Sequence, residues 1–289
     1  RMPCPEVSVL LAVFNGERHI DDAIDSVLAQ DMGNWELVLV DDGSTDSTPD
    51  RLKIRTDPRI RILRSENQGL TKALNYGLKH CQGEFIARLD ADDRCLPQRL
   101  RIQRDFLKNN AAVGAVGSWF YEVLVEHMAV RVCEAPQSPD ACQQALLAGK
   151  SVFLHSSVMF RRRINDSPVF YDESFRQAQD QRLWITLASA TDLSTIAEPL
   201  VVALRNDPGS ITGRRGLLTE LSLKTRLIMI ARRELQGSWQ TALRALTNAY
   251  RHAVENRMRR FLRVLIKRPT RAQKIWSCSE VNALWQVGK

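Results

Sequence analysis

The sequence predicts an α/β fold on a mostly parallel sheet flanked by helices, followed by a C-terminal helical extension. Short apolar segments alternate with helical periodicity, the connections between them are short, and acidic clusters follow two of the apolar segments. Val7 to Val13 (VSVLLAV) is continuously apolar and short enough for a strand covered on both faces. Ile20, Ala23, Ile24, Val27 and Leu28 then recur at helical spacing. Trp35 to Val40 is a second buried strand, ending at Asp41-Asp42-Gly43-Ser44-Thr45-Asp46, a loop that feeds a helix N-cap. Ile60 to Leu63 gives a short third strand. Leu70, Ala73, Leu74, Gly77 and Leu78 mark the next helix, and Glu84 to Leu89 a fourth strand.

Pro97 to Asn110 reads as a helix, after which the pattern changes. Val113–Val132 and Ser151–Phe160 read as longer strands, Gln177–Ala190 as a helix and Leu193–Leu204 as a strand. Asn206–Arg215 is a Gly-containing loop, and from Gly216 onward the pattern is helical throughout.

Charge divides the chain the same way. The 289 residues hold 41 Lys+Arg and 33 Asp+Glu, a net charge of +8. From Arg214 to Lys289 stand 17 basic residues and 4 Glu, leaving 24 basic and 29 acidic residues before them, so an acidic body precedes a basic tail. With 44% hydrophobic residues and six scattered cysteines, the composition excludes a disordered, collagen-like or disulfide-scaffold protein. The cysteines read as reduced thiols of a cytoplasmic protein. No run of about 18 apolar residues is present, which excludes a bilayer-spanning helix. Arg1 to Pro5 carries no apolar signal region, and Arg1 ahead of a Met reads as a trimmed or added end.

In parallel sheets, ligands bind beyond the carboxyl ends of the strands, where both acidic clusters fall. Asp90-Ala91-Asp92-Asp93 after a buried strand suits a metal–diphosphate site, because hard divalent cations bridge carboxylates to phosphates. A solvated acidic loop capping the helix at Pro97 would show the same residues. No P-loop, GxSxG elbow or metal-spaced histidine pair accompanies them.

Four segments in order are similar to one family: Phe14-Asn15-Gly16, Val40 to Asp46 (VDDGSTD), Asn67-Gln68-Gly69 with Ala73-x-Asn75, and Leu89 to Asp93 (LDADD). On these the chain resembles the inverting glycosyltransferases of family two, which have the GT-A fold. The resemblance implies a glycosyltransferase domain over residues 1–213, with a nucleotide-binding half (5–110) and an acceptor half (111–213). Residues 214–289 would be a basic amphipathic extension. It implies that Val13 and Asn15 line the nucleotide cleft and that Asp42 accepts the imide N–H of a pyrimidine. Asn67, Gly69 and Lys72 would border the diphosphate, Asp90 and Ala91 the ribose or sugar, and Asp92 a Mn²⁺ or Mg²⁺ ion, with Asp93 as the alternative ligand. Gly69 and Lys72 also suit an ordinary helix start.

Inversion needs a base opposite the leaving diphosphate. Gln179-Asp180-Gln181-Arg182-Leu183-Trp184 stands where the family places it, which makes Asp180 the base, with Gln179 replacing the family's common Glu. An N-terminal helix acid favoured by the dipole is the plain alternative. His155 is a contact to acceptor or donor sugar, or else a structural histidine. Arg205 is a diphosphate partner in a closing loop with Ser210, or else solvated.

The implied reaction is metal-dependent, inverting transfer from a nucleotide-diphosphate sugar, UDP-linked first, to a hydroxyl of a glycan or lipid-linked acceptor. The enzyme would be a hexosyl- or N-acetylhexosaminyl-transferase of bacterial surface polysaccharide synthesis. Two rivals remain: a sugar-phosphate nucleotidylyltransferase, whose Gly-rich, Arg-containing loop is missing at Phe14–Glu17, and a non-catalytic membrane-associated subunit. In the tail, Leu243, Leu246, Tyr250, Val254, Met258, Phe261, Leu262 and Leu265 keep one helix face, flanked by arginines. That helix suits an anionic membrane surface, packing on the body, or a homodimer. A nucleic-acid partner is not expected, since no binding motif is present and the body is acidic. The expected location is cytoplasmic, peripheral on the inner face of the membrane.

Overall fold

The computed structural model describes residues 4–124, 129–205 and 217–266. The first half contains β1 (Val7–Val13), α1 (Ile20–Leu28), β2 (Trp35–Asp41), α2 (Thr48–Lys53), β3 (Ile60–Arg64), α3 (Leu70–Leu78), β4 (Phe85–Asp90), β5 (Arg94–Cys95) and α4 (Arg99–Asn109). After it come β6 (Val113–Leu124), β7 (Ala129–Cys133), α5 (Pro139–Leu147), β8 (Met159–Arg161), and the short pair β9 (Arg163–Ile164) and β10 (Ser167–Pro168). The chain then forms α6 (Gln179–Ala188), β11 (Asp192–Arg205), α7 (Leu217–Glu234) and α8 (Trp239–Ile266).

The first four strands pair in parallel in the order β3-β2-β1-β4. Their runs are continuously apolar because both faces are covered. Leu10, Val38, Val40 and Ile86 meet α3 on one side, while Leu11, Leu37, Leu39 and Phe85 meet α1 on the other. A Cβ on Gly77 would lie 2.4 Å from Leu10 Cδ1, so glycine lets α3 approach the sheet this closely. The register sets Val13 opposite Asp41 and Ala12 opposite Asp90. The two acidic segments therefore leave the sheet at one edge, on either side of the end of β1.

Beyond β4 the sheet is mixed. β8 runs antiparallel between β4 and β6, β11 lies parallel to β6, and β5 and β7 add antiparallel edges. The expected strand Val113–Val132 is two strands, with Val123 paired to Val130 and Phe120 to Cys133. Apolar periodicity runs unbroken through a chain reversal, so it does not reveal one. The expected strand Ser151–Phe160 is shorter, Met159–Arg161, because His155–Ser157 form a 3₁₀ turn. Helix α5 was unmarked by apolar spacing, although its start carries the usual signals. Ser138 Oγ accepts a bond from Ala141 N, and Pro139 occupies the first turn.

Helix α7 belongs to the body: Leu227, Ala231 and Leu235 share a core with Leu146, Leu147 and Trp184. Arg182 on α6 bonds Glu234 Oε2 at 2.8 Å, and Arg226 stacks on Phe175 at 3.9 Å. Helix α8 rests against Ile228 through Ala242, Ala245, Leu246 and Ala249. The expected stripe of large residues is thus divided, since Leu246 joins the seam while Leu243 and Tyr250 are 66% and 63% exposed. Alanines make the seam because they let two helix backbones come close. The side chains of Val254, Met258, Phe261, Leu262 and Leu265 lie outside the described residues, as do Asn206–Arg215 and the boundary expected at residue 213. Among the described residues, no helix is long and apolar enough to cross a membrane.

Packing of α7 into the main core makes a stability prediction. Leu227→Ala should cost about 2–4 kcal/mol in urea unfolding. A loss below about 1 kcal/mol would show α7 to be an appendage rather than part of the core.

Candidate active site

At the sheet edge, the loop after β1 is stitched to the loop after β2. Asn15, with φ 54°, accepts a 2.8 Å bond from Thr45 N on Oδ1, and its own N–H donates to Ser44 Oγ at 2.9 Å. Gly16 N donates to Thr48 Oγ1 at 2.9 Å, and Ser44 N donates to Asp41 Oδ1 at 2.9 Å. Phe14, between buried Val13 and Asn15, is 46% exposed and presents an aromatic ring at this edge.

Asp42 anchors the next loop and is only 3% exposed. Its Oδ1 accepts from Ser65 Oγ at 2.6 Å and Gln68 N at 2.9 Å, and its Oδ2 from Gly69 N at 2.8 Å. An ionised carboxylate has about four acceptor positions, so one remains. Two left-handed residues let the loop fold over the carboxylate: Asn67 at φ 44° and Gly69 at φ 91°. Asn67, Gly69 and Lys72 are all exposed along this rim.

The Asp90–Asp93 segment has three different carboxylates. Asp90 is bonded by the fully buried Arg88, its Oδ2 accepts from Ser156 Oγ at 2.8 Å, and its N–H donates to the same hydroxyl at 3.0 Å. Burial alone would raise its carboxyl; the charge of Arg88 and the bonds from Arg88 and Ser156 reverse that and hold it below the usual range. Asp92 is half-buried and goes the other way: burial, then the charge of Asp90, raises its carboxyl. Asp93 is buried, and its Oδ1 accepts from Leu204 N at 3.2 Å, which ties it to β11. Ala91 packs into the core beneath. Among the described residues, no group of three or more His, Cys, Asp or Glu side chains is arranged to hold a metal ion.

In the interior, Asn75 on α3 pairs with both backbone groups of Tyr171. Tyr171 N donates to its Oδ1 at 2.8 Å, and its Nδ2 donates to Tyr171 O at 3.0 Å. Thr71 Oγ1 adds a 2.9 Å bond to Phe175 O. This segment leads through Ala178, at φ 54°, into α6, whose first turn carries Asp180. His155 is 8% exposed, and its Nε2 lies 2.7 Å from Tyr171 Oη. Burial pushes the Tyr171 phenol up; Arg88 opposes this, while Asp180 and Asp90 add to it. Both carboxylates therefore lie within electrostatic reach of one hydroxyl.

The structure thus gathers Val13, Asn15, Asp42, Asp90, Ala91 and Asp92 at one edge, with Asn67, Gly69 and Lys72 on its rim. Asp180 stands in the first turn of α6, within electrostatic reach of the Tyr171 hydroxyl. The Arg205 side chain lies outside the described residues. Sequence reasoning missed Arg88, Ser156 and Tyr171, and took Phe14 and Asn75 only as parts of motifs. The one local signal was an arginine inside the apolar run before Asp90.

The model of glycosyl transferase family 2 matches residues 8–167. The chain is 31% identical over 195 residues to the putative glycosyltransferase EpsE of Bacillus subtilis (strain 168), covering 60% of this chain and 69% of that one. It is 30% identical over 191 residues to an Escherichia coli protein, UDP-Glc:alpha-D-GlcNAc-diphosphoundecaprenol beta-1,3-glucosyltransferase WfgD, covering 66% and 72%. Against two further relatives, the share of their own length falls to 65% and 32%. S. aureus TarS 1-349 in complex with UDP-GlcNAc superposes with a TM-score of 0.66 at 18% identity, over 81% of this chain and 67% of that one. The mannosyltransferase PcManGT of Pyrobaculum calidifontis, in complex with GDP-Man and Mn2+, gives 0.57 at 18% identity over 98% and 80%.

Burial of His155, with Arg88 adding to it and Asp90 opposing, lowers its imidazole from 6.5 to about 3. The unfolded chain therefore binds a proton more readily below pH 6.5, and stability falls as pH drops through that window. The urea midpoint should decline from about pH 7.5 to about pH 5. In His155→Gln the decline should be shallower, and equal slopes in the two proteins would place the imidazole in contact with water.

Proposed function

The chain belongs to glycosyl transferase family 2 and is a glycosyltransferase, and from that premise we propose the reaction its residues perform. A sugar passes from a nucleotide-diphosphate sugar to a hydroxyl of a glycan or lipid-linked acceptor, with inversion at the anomeric carbon. The observation that carries this reading is the register of β1, which sets Asp41 and Asp90 on either side of one strand end.

On this reading the nucleotide lies over the end of β1. The remaining acceptor position of Asp42 takes the imide N–H of uracil, and exposed Phe14 offers a ring for stacking on the base. UDP is the nucleotide named for WfgD, a relative at 30% identity, which favours it over the GDP of the more distant PcManGT. Asn67, Gly69 and Lys72 border the diphosphate.

Asp92 is the carboxylate suited to a divalent cation, because burial beside Asp90 raises its carboxyl and a cation offsets both causes. Asp93 is committed to Leu204 N. With no three-ligand cluster among the described residues, the site suits a cation shared with phosphates rather than a closed protein cage. When bound, Mn²⁺ or Mg²⁺ supplies charge compensation to the leaving diphosphate. Asp90, held ionised by Arg88, receives a ribose or sugar hydroxyl.

Asp180 takes the proton of the acceptor hydroxyl as its oxygen attacks the anomeric carbon. The new C–O bond forms on the face opposite the breaking bond, whose electron pair leaves with the diphosphate. The catalytic unit is residues 1–213, with halves 5–110 and 111–213, and α7 from the extension buttresses its acceptor side. Surface polysaccharide synthesis on a lipid-linked acceptor agrees with the diphosphoundecaprenol in WfgD's name. An anionic membrane surface suits the exposed side of α8, where Leu243 and Tyr250 stand beside exposed Arg244 and Arg251.

A thermal-shift screen of UDP-, dTDP- and GDP-sugars with Mn²⁺ tests the donor, since stabilisation follows saturation. The reading requires a shift with a UDP-sugar, and a flat response to every nucleotide would favour a non-catalytic subunit. Asp180→Asn should lower kcat by about 10²- to 10⁴-fold with donor KM little changed. Full activity in that protein would remove Asp180 from the mechanism.

A further inference from the structure

Two buried polar side chains, His155 and Tyr171, are left without a chemical role by the reaction above. A polar pair in a dry interior is costly unless its bond is made, and it then fixes whatever it joins. Each member of this pair is anchored to a different side of the site.

His155 precedes Ser156, whose hydroxyl both donates to Asp90 Oδ2 and accepts from Asp90 N. Its ring therefore moves with the donor-side carboxylate. Tyr171 is locked at its backbone by the Asn75 amide and begins the segment that runs through Phe175 to Asp180. Between the two anchors runs the 2.7 Å contact of Nε2 with Oη. Trp184, one turn beyond Asp180 on α6, meets the His155 ring edge-on at 6.1 Å between centroids. The same imidazole thus touches both the segment leading to the base and the helix that carries it.

We infer that the His155–Tyr171 hydrogen bond is a positioning tether, setting the separation between the Asp90–Asp92 donor side and Asp180. The inference rests on Asp180 being the base. An acceptor oxygen has to fit between base and anomeric carbon in line with the leaving group, and misplacement near 1 Å costs about 10²-fold. A tether that acts only on this spacing affects turnover and leaves donor binding alone. The lowered imidazole agrees with the tether, because the ring stays neutral and keeps one nitrogen as an acceptor across the working pH range.

The test compares Tyr171→Phe, the double variant Tyr171→Phe with His155→Leu, and Asp180→Asn, each by steady-state transfer and thermal unfolding. Tyr171→Phe should lower kcat about 10- to 100-fold with donor KM within about twofold. It should also lose stability, because His155 is left buried with an unmet polar atom. The double variant removes both polar partners, so its stability should return toward the native value while kcat stays low. Recovery of kcat together with stability would overturn the tether and leave a purely structural pair. Native kcat in Tyr171→Phe beside an inactive Asp180→Asn would overturn the tether while the base assignment stands. Full activity in Asp180→Asn would overturn the base and the tether with it.

Discussion

Arg88 stands in the middle of the sheet, fully buried, with its guanidinium bonded to Asp90 and to the Leu89 carbonyl. A buried charge of this kind is tolerated only with a partner, so the position of Asp90 is set by the sheet and not by its loop. Two further contacts extend the constraint. Arg88 N donates to Val158 O at 3.0 Å, and the buried Arg99 donates to the carbonyls of both Arg88 and Val158. The turn carrying His155 and Ser156 is thereby held against β4, and Ser156 closes the ring on Asp90. The electrostatics follow from the same pair. Asp90 stays ionised, and its charge, together with burial, raises the neighbouring Asp92. Two acids separated by one residue in sequence thus present opposite tendencies, one carboxyl held low and the other pushed up.

What was legible in the sequence was whatever is local. The first four strands announce themselves because strands covered on both faces are apolar at every position, and this property survives without any knowledge of partners. The acids at their ends were visible for the same reason, and Asp180 through its motif. What was not legible depends on contacts across long stretches of chain. The return of β6 into β7 and the 3₁₀ turn at His155–Ser157 are set by tertiary pairing, which apolar period does not encode. Asn75 and Tyr171 are 96 residues apart, and nothing in either neighbourhood marks them as partners. Gly69 read either as a neighbour of the diphosphate or as an ordinary helix start, and nothing local showed that its N–H serves the carboxylate of Asp42.

The basic tail shows how charge and packing separate. Its positive balance suggested a body and an appendage, yet α7 enters the main core beside Trp184 and is tied to α6 through Arg182 and to Phe175 through Arg226. Charge asymmetry reports on what faces solvent, and apolar residues decide what is attached to what. In α8 the two cues part company along one helix, with Ala242, Ala245, Ala249 and Leu246 joining the body while Leu243 and Tyr250 stay exposed.

These constraints meet at α6. Its first turn carries Asp180, its second carries Trp184, and Arg182 between them joins Asp172 and Glu234. One flank is therefore tied to the segment fastened by Asn75, another to α7, and the inner face to His155. On the proposed reading α6 carries the base, which must be held firmly against donor chemistry on a different part of the chain. On that reading the firmness comes from the interior: the buried Arg88 bonded to Asp90, and the His155–Tyr171 pair behind the segment that leads to Asp180.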